Sequence, residues 1–304
     1  MTSSFQPSIS QAEFEACIAA LWVFPIKSCA GMSVSHAELT PTGLAFDRAW
    51  MVVDVDGEMV TQRDLPRMAL VHPDLVGNPV TELVLHANGM DALHLPVVPL
   101  HASDEKAIRV RVWDDVVPAF DMGPLASAWL TEFLGGNLGP LRLVRFDTAH
   151  SRQASPTWTQ GVSAFNQFSD GFPVLVASTA SLDELNTRLQ TKGEAPVDMR
   201  RFRPNVVLGQ VDGPHDEDRI GTLTLHSEGE VVQLKPVKPC PRCPIPNIDP
   251  DTANTHPAVS EVLQTYRQDS RVNGALTFGM NCIPLRGVGQ VLCVGQRVSA
   301  DWAF

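Results

Sequence analysis

The sequence predicts a mainly β protein with some α, built as two β-rich units. Three observations carry this. Short β-rich runs recur around Asp-Gly and Asn-Gly turn signals, helical segments are few and short, and no G-x-G-x-x-G fingerprint follows a strand. The first two favour barrels or sandwiches, and the third argues against a doubly wound nucleotide-binding sheet.

In chain order, "AWMVVDVDGEMVTQR" places two β-rich arms around Asp56-Gly57, and "ELVLHANGMDALHLPV" repeats the device around Asn88-Gly89. "IRVRVWDD" alternates cleanly as a half-buried strand. "GPLASAWLTEFLGG" has Pro near its start and Gly after its end, the punctuation of a helix. The polar stretch between Gly135 and Pro156 weakens the periodic pattern and marks a boundary. The expected organisation is a tail over 1–15, one unit over 16–140 and a second over 141–304. Within the second unit, "SLDELNTRL" predicts a helix opened by a capping box from Ser181 to Glu184. "GTLTLHSEGEVVQLKPV" predicts a hairpin turning near Gly229, and "HPAVSEVLQTYRQ" a helix with Val259, Val262, Leu263 and Tyr266 on one stripe.

Hydrophobic residues at 44% and charged residues at 19% are those of a soluble globular chain. The net charge of −11 argues against nucleic acid or an anionic membrane surface as the main partner, though local basic pockets for small anions remain open. The first fifteen residues lack Lys and Arg, and the apolar run after them is too short to span a bilayer, so the expectation is a cytoplasmic protein without a membrane span.

Six cysteines in 304 residues do not make a disulfide scaffold. Cys17, Cys282 and Cys293 sit in apolar segments and read as core thiols, whereas Cys29, Cys240 and Cys243 sit in polar or proline-rich stretches. The stretch "VKPCPRCPIPNIDPDTA", Val237 to Ala253, holds a C-x-x-C among five prolines. Prolines fix φ and remove donors, so a stiff, extended loop is expected rather than a helix or a central strand. A structural zinc would need a second ligand pair, and a dithiol redox motif would need a helix that Pro244 and Pro246 oppose. A single thiolate on a soft metal fits better, provided a cofactor supplies the other ligands, with Arg242 expected to favour the Cys243 thiolate.

Five ordered stretches, "FPIKSCAG", "GLAFDRAWMVVD", "FSDGFPVLVASTASLDELNTRL", "RFRPNVVL" and "CPRCPIPNIDPDT", make the chain resemble MOSC-domain proteins over roughly residues 17 to 298. More narrowly, it is similar to the mitochondrial amidoxime-reducing component and its bacterial relatives. The resemblance implies an N-terminal MOSC-associated β-barrel followed by a MOSC β-barrel with short helices. It also implies a molybdopterin-type molybdenum cofactor with Cys243 as the metal ligand. Lys27, Ser28, Arg48, Ser169, Asp170, Gly171, Arg203, Asn205, Pro241 and Arg242 are then implied to hold the cofactor. Asn281 stands at a further contact position, where relatives can carry an aromatic. Asp249 is a candidate beside the substrate; its competing reading is an Asx turn. Likewise Arg48 and Arg203 could form plain ion pairs, with Asp47 or Asp198.

The activity implied is reduction of N-hydroxylated or N-oxide-type small molecules. Electrons would come from a separate ferredoxin- or cytochrome b5-type protein and its reductase, because no iron–sulfur cysteine set or nicotinamide fingerprint is present. The alternative is a sulfur-carrier or cofactor-handling protein, since MOSC domains also close molybdenum cofactor sulfurases. The half of those enzymes that binds pyridoxal phosphate has no counterpart here, so that cofactor is not expected. A third reading is a non-catalytic binding barrel.

Overall fold

A computed structural model describes residues 14–98, 107–135, 138–227 and 229–303. Its larger unit is a closed, seven-stranded barrel. Strand Phe14–Val23 runs between Val206–Gly209 and Arg297–Trp302, antiparallel to both. The sheet continues through Ile220–Leu225, Val232–Pro241 and Ala275–Arg286. Val174–Ser178 closes it, antiparallel to Ala275–Arg286 and parallel to Val206–Gly209. Alternating residues such as Ile18, Leu21, Val176, Leu208, Leu234 and Val298 fill the interior. Burying one face of each strand fixes its register, since a one-residue slip would turn that set outward.

The second unit pairs Trp50–Val53, Arg142–Phe146, Asp115–Asp121 and Ile108–Val112 in one antiparallel sheet. A meander of His72–Gly77, Val80–His86 and Leu93–Pro96 lies beside it. The helix Pro124–Leu134 buries Ala126, Leu130 and Phe133 into the same core as Trp50, Leu83 and Leu143. The fold is mainly β with a few helices, as the turn signals predict.

The two units interleave along the chain. Phe14–Val23, expected with the N-terminal unit, is a barrel strand; Arg142–Phe146, beyond the expected division, completes the N-terminal sheet. Of the expected tail, residues 1–13 lie outside the described residues, whereas Phe14 and Glu15 already pair with Ala300 and Ser299.

Local expectations fare unevenly. The hairpins at Asn88-Gly89 and between Ile220–Leu225 and Val232–Pro241 form. At Asp56-Gly57 the chain turns, with Asp54 accepting from the Asp56 and Glu58 amides, and the second arm meets the first through an isolated bridge of Met59 to Val53 and a Val60-to-Val52 hydrogen bond rather than as a full strand. The helix Thr179–Thr191 starts earlier than the capping box proposes. Ser178 is its cap, accepting from the Ser181 amide, and the Ser181 hydroxyl donates to buried Glu217 at 2.7 Å. Glu184 is thereby left to pair with Arg188 and His215.

The prolines of the cysteine stretch are a larger correction. Pro239 and Pro241, with Pro236 just before the stretch, lie within a barrel strand, whose pairing to Ala275–Arg286 shifts register at Pro236/Lys238 and Pro239/Pro241. Pairing to Ile220–Leu225 covers only Val232–Leu234, so among the described residues the proline half has one unpaired edge. Proline is tolerated at bulges and on such an edge because no ladder donor is lost there.

Candidate cofactor cavity

Where the barrel meets the N-terminal sheet, a cavity of about 470 Å³ opens. Its walls carry Lys27, Arg48, Arg63, Arg203, Lys238 and Arg242 against Asp114 and Asp170. A protein with net charge −11 has therefore concentrated cations in one concavity, the arrangement that favours an anionic ligand. Cys243 and every residue that the resemblance implies for the cofactor lie on its lining.

The loop after strand Phe14–Val23 supplies Lys27 and Ser28. Its backbone is tied to the N-terminal sheet by the Lys27 amide donating to the Trp50 carbonyl at 2.8 Å. Lys27 is buried; its Nζ donates to the Phe168 carbonyl at 2.8 Å and pairs with Asp170. Burial lowers the Lys27 pKa, and the Asp170 charge only partly restores it. For Asp170, desolvation works upward, but the charge and hydrogen bond of Lys27 outweigh it and hold the carboxyl below the usual range. Although protein surrounds it, 74% of the Asp170 side chain faces open space, so solvent screens the pair.

Arg48 and Arg203 flank Phe24, their guanidinium carbons 4.5 and 4.3 Å from its ring centre. Arg48 pairs with Asp47 at 2.5 Å and donates to the Arg203 carbonyl at 2.9 Å. Arg203 donates from Nη1 to the Cys29 carbonyl at 2.6 Å, while its buried Nη2 has no partner among the described residues. Asp198 binds Arg200 instead. Burial, with the neighbouring Arg48 charge, pushes the Arg203 pKa down to about 9. Ser28, Arg48, Trp113 and Arg203 all take positive φ, between 48° and 66°. Such non-glycine strain gathers at ligand clamps, where the surrounding structure holds it.

At the cysteine stretch, Arg242 does not serve Cys243 as expected. Its Nη1 donates to the Cys240 sulfur at 3.0 Å and its Nη2 to the Phe202 carbonyl at 2.9 Å, leaving buried Nε without a partner among the described residues. Asp249 is not on the lining of this cavity. Its Oδ1 accepts from the Asp251 and Thr252 amides, and its Oδ2 pairs with Arg201 at 2.8 Å, the Asx-turn arrangement. Asn205 lines the cavity with its side chain already engaged, accepting from the Leu175 amide and donating to the Trp22 carbonyl. Asn281 comes in from strand Ala275–Arg286, opposite Lys238 and Leu175.

Several lining or supporting residues carry no sequence signal. Trp113 sits on the two-residue turn of the Ile108–Val112 and Asp115–Asp121 hairpin, and its indole N–H donates to Asp170 at 3.0 Å. The Arg63 guanidinium stacks 4.5 Å from the Trp113 ring. Arg152, in the stretch read as a boundary, binds Asp115 at 2.7 Å and donates to the carbonyls of Gln167, Ser169 and Asp170. Cys29 is a buried thiol with its pKa pushed up to about 12 by desolvation, so its polar sequence surroundings mislead. Cys293, in an apolar segment, is exposed, and Cys17 is half-buried.

The donor set fits a phosphate-bearing pterin. Ser169 Oγ, Arg203 Nη2 and Arg242 Nε are buried without partners among the described residues, and a ligand with anionic oxygens and heterocycle edges would satisfy them. A Cβ placed on Gly171 meets nothing within 4 Å, so that side of the cavity is open. Among the described residues no three His, Cys, Asp or Glu side chains gather as a metal site. A metal at Cys243 therefore needs most of its ligands from a cofactor.

The MOSC N-terminal beta barrel domain matches residues 15–137 and the MOSC domain residues 165–299. The chain is 37% identical over 243 residues to mitochondrial amidoxime reducing component 2 of Homo sapiens, spanning 77% of this chain and 67% of that protein. It is 34% identical to mitochondrial amidoxime-reducing component 1 of Mus musculus, spanning 82% and 71%. Molybdenum cofactor sulfurase of Danio rerio is 30% identical over 86% of this chain, which covers 31% of that longer protein.

Proposed function

Because the chain belongs to the MOSC-domain family, we propose that its cationic cavity holds a molybdenum pterin through Cys243 and that the loaded protein reduces N-hydroxylated or N-oxide-type compounds. The observation carrying this is the set of buried donors without partners among the described residues, Ser169 Oγ, Arg203 Nη2 and Arg242 Nε, in the cavity that also contains Cys243. When bound, the cofactor supplies a two-electron metal centre able to take oxygen from an N–O group.

The chain's own residues bind and orient. Lys27, Arg48 and Arg203 neutralise phosphate charge, and Ser28 and Ser169 offer hydroxyl donors. Asp170 accepts hydrogen bonds from the edge of a heterocycle, and Cys243 contributes the soft ligand. Strained, packed backbone at Ser28, Arg48 and Arg203 holds the donors before the ligand arrives, which lowers the ordering cost of binding. Electrons come from a separate redox protein of ferredoxin or cytochrome b5 type. The test is molybdenum and pterin analysis of the purified protein, followed by reduction of hydroxylamine and benzamidoxime with a chemical reductant. Stoichiometric zinc without molybdenum would overturn the reading.

One observation favours a second reading, cofactor sulfur handling. Cys240 shares the cavity with Cys243 and lies against the Arg242 guanidinium, which would stabilise an anionic sulfur. A persulfide found by mass spectrometry on the freshly purified protein would select it.

A further inference from the structure

We propose that Lys238, with Asn281 beside it, forms a carboxylate-binding subsite, and that the substrates this chain prefers carry a carboxylate remote from the N–O group. The proposal rests on the reductase reading above and adds to it a substrate class and the residues that select it.

The direction of Lys238 depends on an irregularity of the barrel. In strand Val232–Pro241, Pro236 and Pro239 are buried and pair with Cys282 and Met280, both members of the interior core. Strict alternation would turn Lys238 to the same side as Pro236, into that core. Val237 is instead an extra residue. The ladder shifts register between Pro236 and Lys238, and Lys238 comes to lie outward, opposite Asn281. Bulges re-aim side chains in this way beside binding sites. One inserted residue thus carries a lysine from the core side to the cavity wall.

Its surroundings leave the charge available. Among the cavity's cations, Lys27 and Arg48 pair with Asp170 and Asp47, while Arg203 and Arg242 donate to the carbonyls of Cys29 and Phe202. Arg63 lies on the Trp113 ring and donates to the Thr61 hydroxyl. Lys238 is held by aromatic faces, its Nζ 5.1 Å from the Trp158 ring centre and 5.9 Å from that of Phe172. Among the described residues it has no carboxylate or carbonyl partner. Contacts of this kind fix an ammonium through the ring quadrupole and leave its N–H donors free. The Asn281 amide, likewise without a hydrogen-bond partner among the described residues, adds a neutral donor on the same face. Phe172 and Trp158 belong to an apolar cluster on that face, which lowers the local dielectric and strengthens the pull on an anion.

An ammonium and an amide donor side by side match a carboxylate. Position separates this subsite from the phosphate end of the cavity. Arg203 leads into Val206–Gly209, and Val174–Ser178 and Ala275–Arg286 lie between that strand and Val232–Pro241. Three strand spacings, about 14 Å along the sheet, therefore part Lys238 from the strand that follows Arg203. Lys238 also precedes Cys243 by five residues, a span of no more than about 18 Å between α-carbons. A molecule held at Lys238 by its carboxylate can thus present its other end toward Cys243 within one cavity.

The experiment uses the full, cofactor-loaded chain and two probes that differ by one group, benzamidoxime and 4-carboxybenzamidoxime. Each is titrated calorimetrically into the oxidised protein, and each is then reduced with a chemical reductant. The wild type should bind the carboxylated probe about tenfold more tightly and show a similar preference in kcat/KM, both shrinking as salt is added. Lys238→Met should abolish the preference while keeping wild-type molybdenum and pterin content, and Lys238→Arg should retain most of it, with melting curves confirming that both fold. The salt dependence needs no variant. Equal binding of the two probes by the wild type, or a preference that survives in folded Lys238→Met, would overturn the subsite. Loss of molybdenum or pterin from folded Lys238→Met would also overturn it, by assigning the lysine to the cofactor. Failure of the wild type to reduce either probe would instead overturn the reductase reading, and the calorimetry would still decide whether the subsite binds the carboxylate.

Discussion

The Trp113 indole N–H donates to Asp170 Oδ1 at 3.0 Å, joining the turn of an N-terminal hairpin to the lining of the cofactor cavity. The same carboxylate oxygen pairs with Lys27, so one residue of the barrel-side loop ties together a hairpin tip and a buried cation. The two units thus share a site neither would complete alone.

Trp113→Phe keeps the ring against Arg63 and removes only the N–H. With Asp170 largely open to solvent, the loss in stability should be about 0.5–1.5 kcal/mol. The Asp170 carboxyl, relieved of one donor, should titrate at higher pH. Denaturant unfolding and NMR titration of the carboxyl measure the two effects; an unchanged titration would show that the indole does not hold Asp170 in solution.

Anion binding to the cofactor-free cavity should weaken as pH rises toward and beyond about 9, because burial and the Arg48 charge loosen the Arg203 proton and burial likewise lowers the Lys27 pKa. The sign follows from a folded-state pKa depressed below its unfolded value. The cost of the buried, uncompensated cation is carried in full below about 9 and is relieved between about 9 and the ordinary guanidinium value, so the cofactor-free fold should gain stability over that window. Titration of inorganic phosphate across this range checks it, and Arg203→Gln should remove the Arg203 step at every pH tested. A phosphate affinity that stays flat from neutral pH to above this range would contradict the assignment.

Gly31→Ala should destabilise the fold by about 1–3 kcal/mol, because the new Cβ displaces the Phe24 ring on which Arg48 and Arg203 rest. Gly171→Ala, placed in open space, should stay within about 0.5 kcal/mol of wild type. Thermal unfolding of the pair gives the comparison, and equal effects would show that Phe24 can move without cost.

Much of this architecture is legible in the sequence where the signal is local. The Asn88-Gly89 turn and the stripe of Val259, Val262 and Leu263 follow from periodicity and turn chemistry and form as expected, but the helix ends at Gln264, so Tyr266, expected on the same stripe, lies beyond it. What stays hidden is the choice of distant partners. The apolar run after the first fifteen residues reads only as too short to span a bilayer, and nothing in it names Val206–Gly209 as a neighbour of Phe14–Val23, so the interleaving of the two units escapes notice. Side-chain partnerships are hidden for the same reason. Arg242 is adjacent to Cys243 in sequence, yet the extended backbone carries its guanidinium to Cys240. Ser181 begins a good capping box, but tertiary burial beside Glu217 recruits it elsewhere. Family-specific stretches located the residues of the cavity wall; Trp113, Arg63 and Arg152 needed the three-dimensional arrangement.

The central claim, a molybdenum pterin held through Cys243, is tested most directly by the molybdenum-to-protein ratio of Cys243→Ser beside that of Cys240→Ser. A neutral hydroxyl at 243 is a poor ligand for the metal, whereas serine at 240 still offers Arg242 an oxygen acceptor. The account predicts that Cys243→Ser loses bound molybdenum while Cys240→Ser retains most of it, both with wild-type melting behaviour. Equal loss in both variants would point to a paired-sulfur site, and full retention in Cys243→Ser would contradict ligation by Cys243.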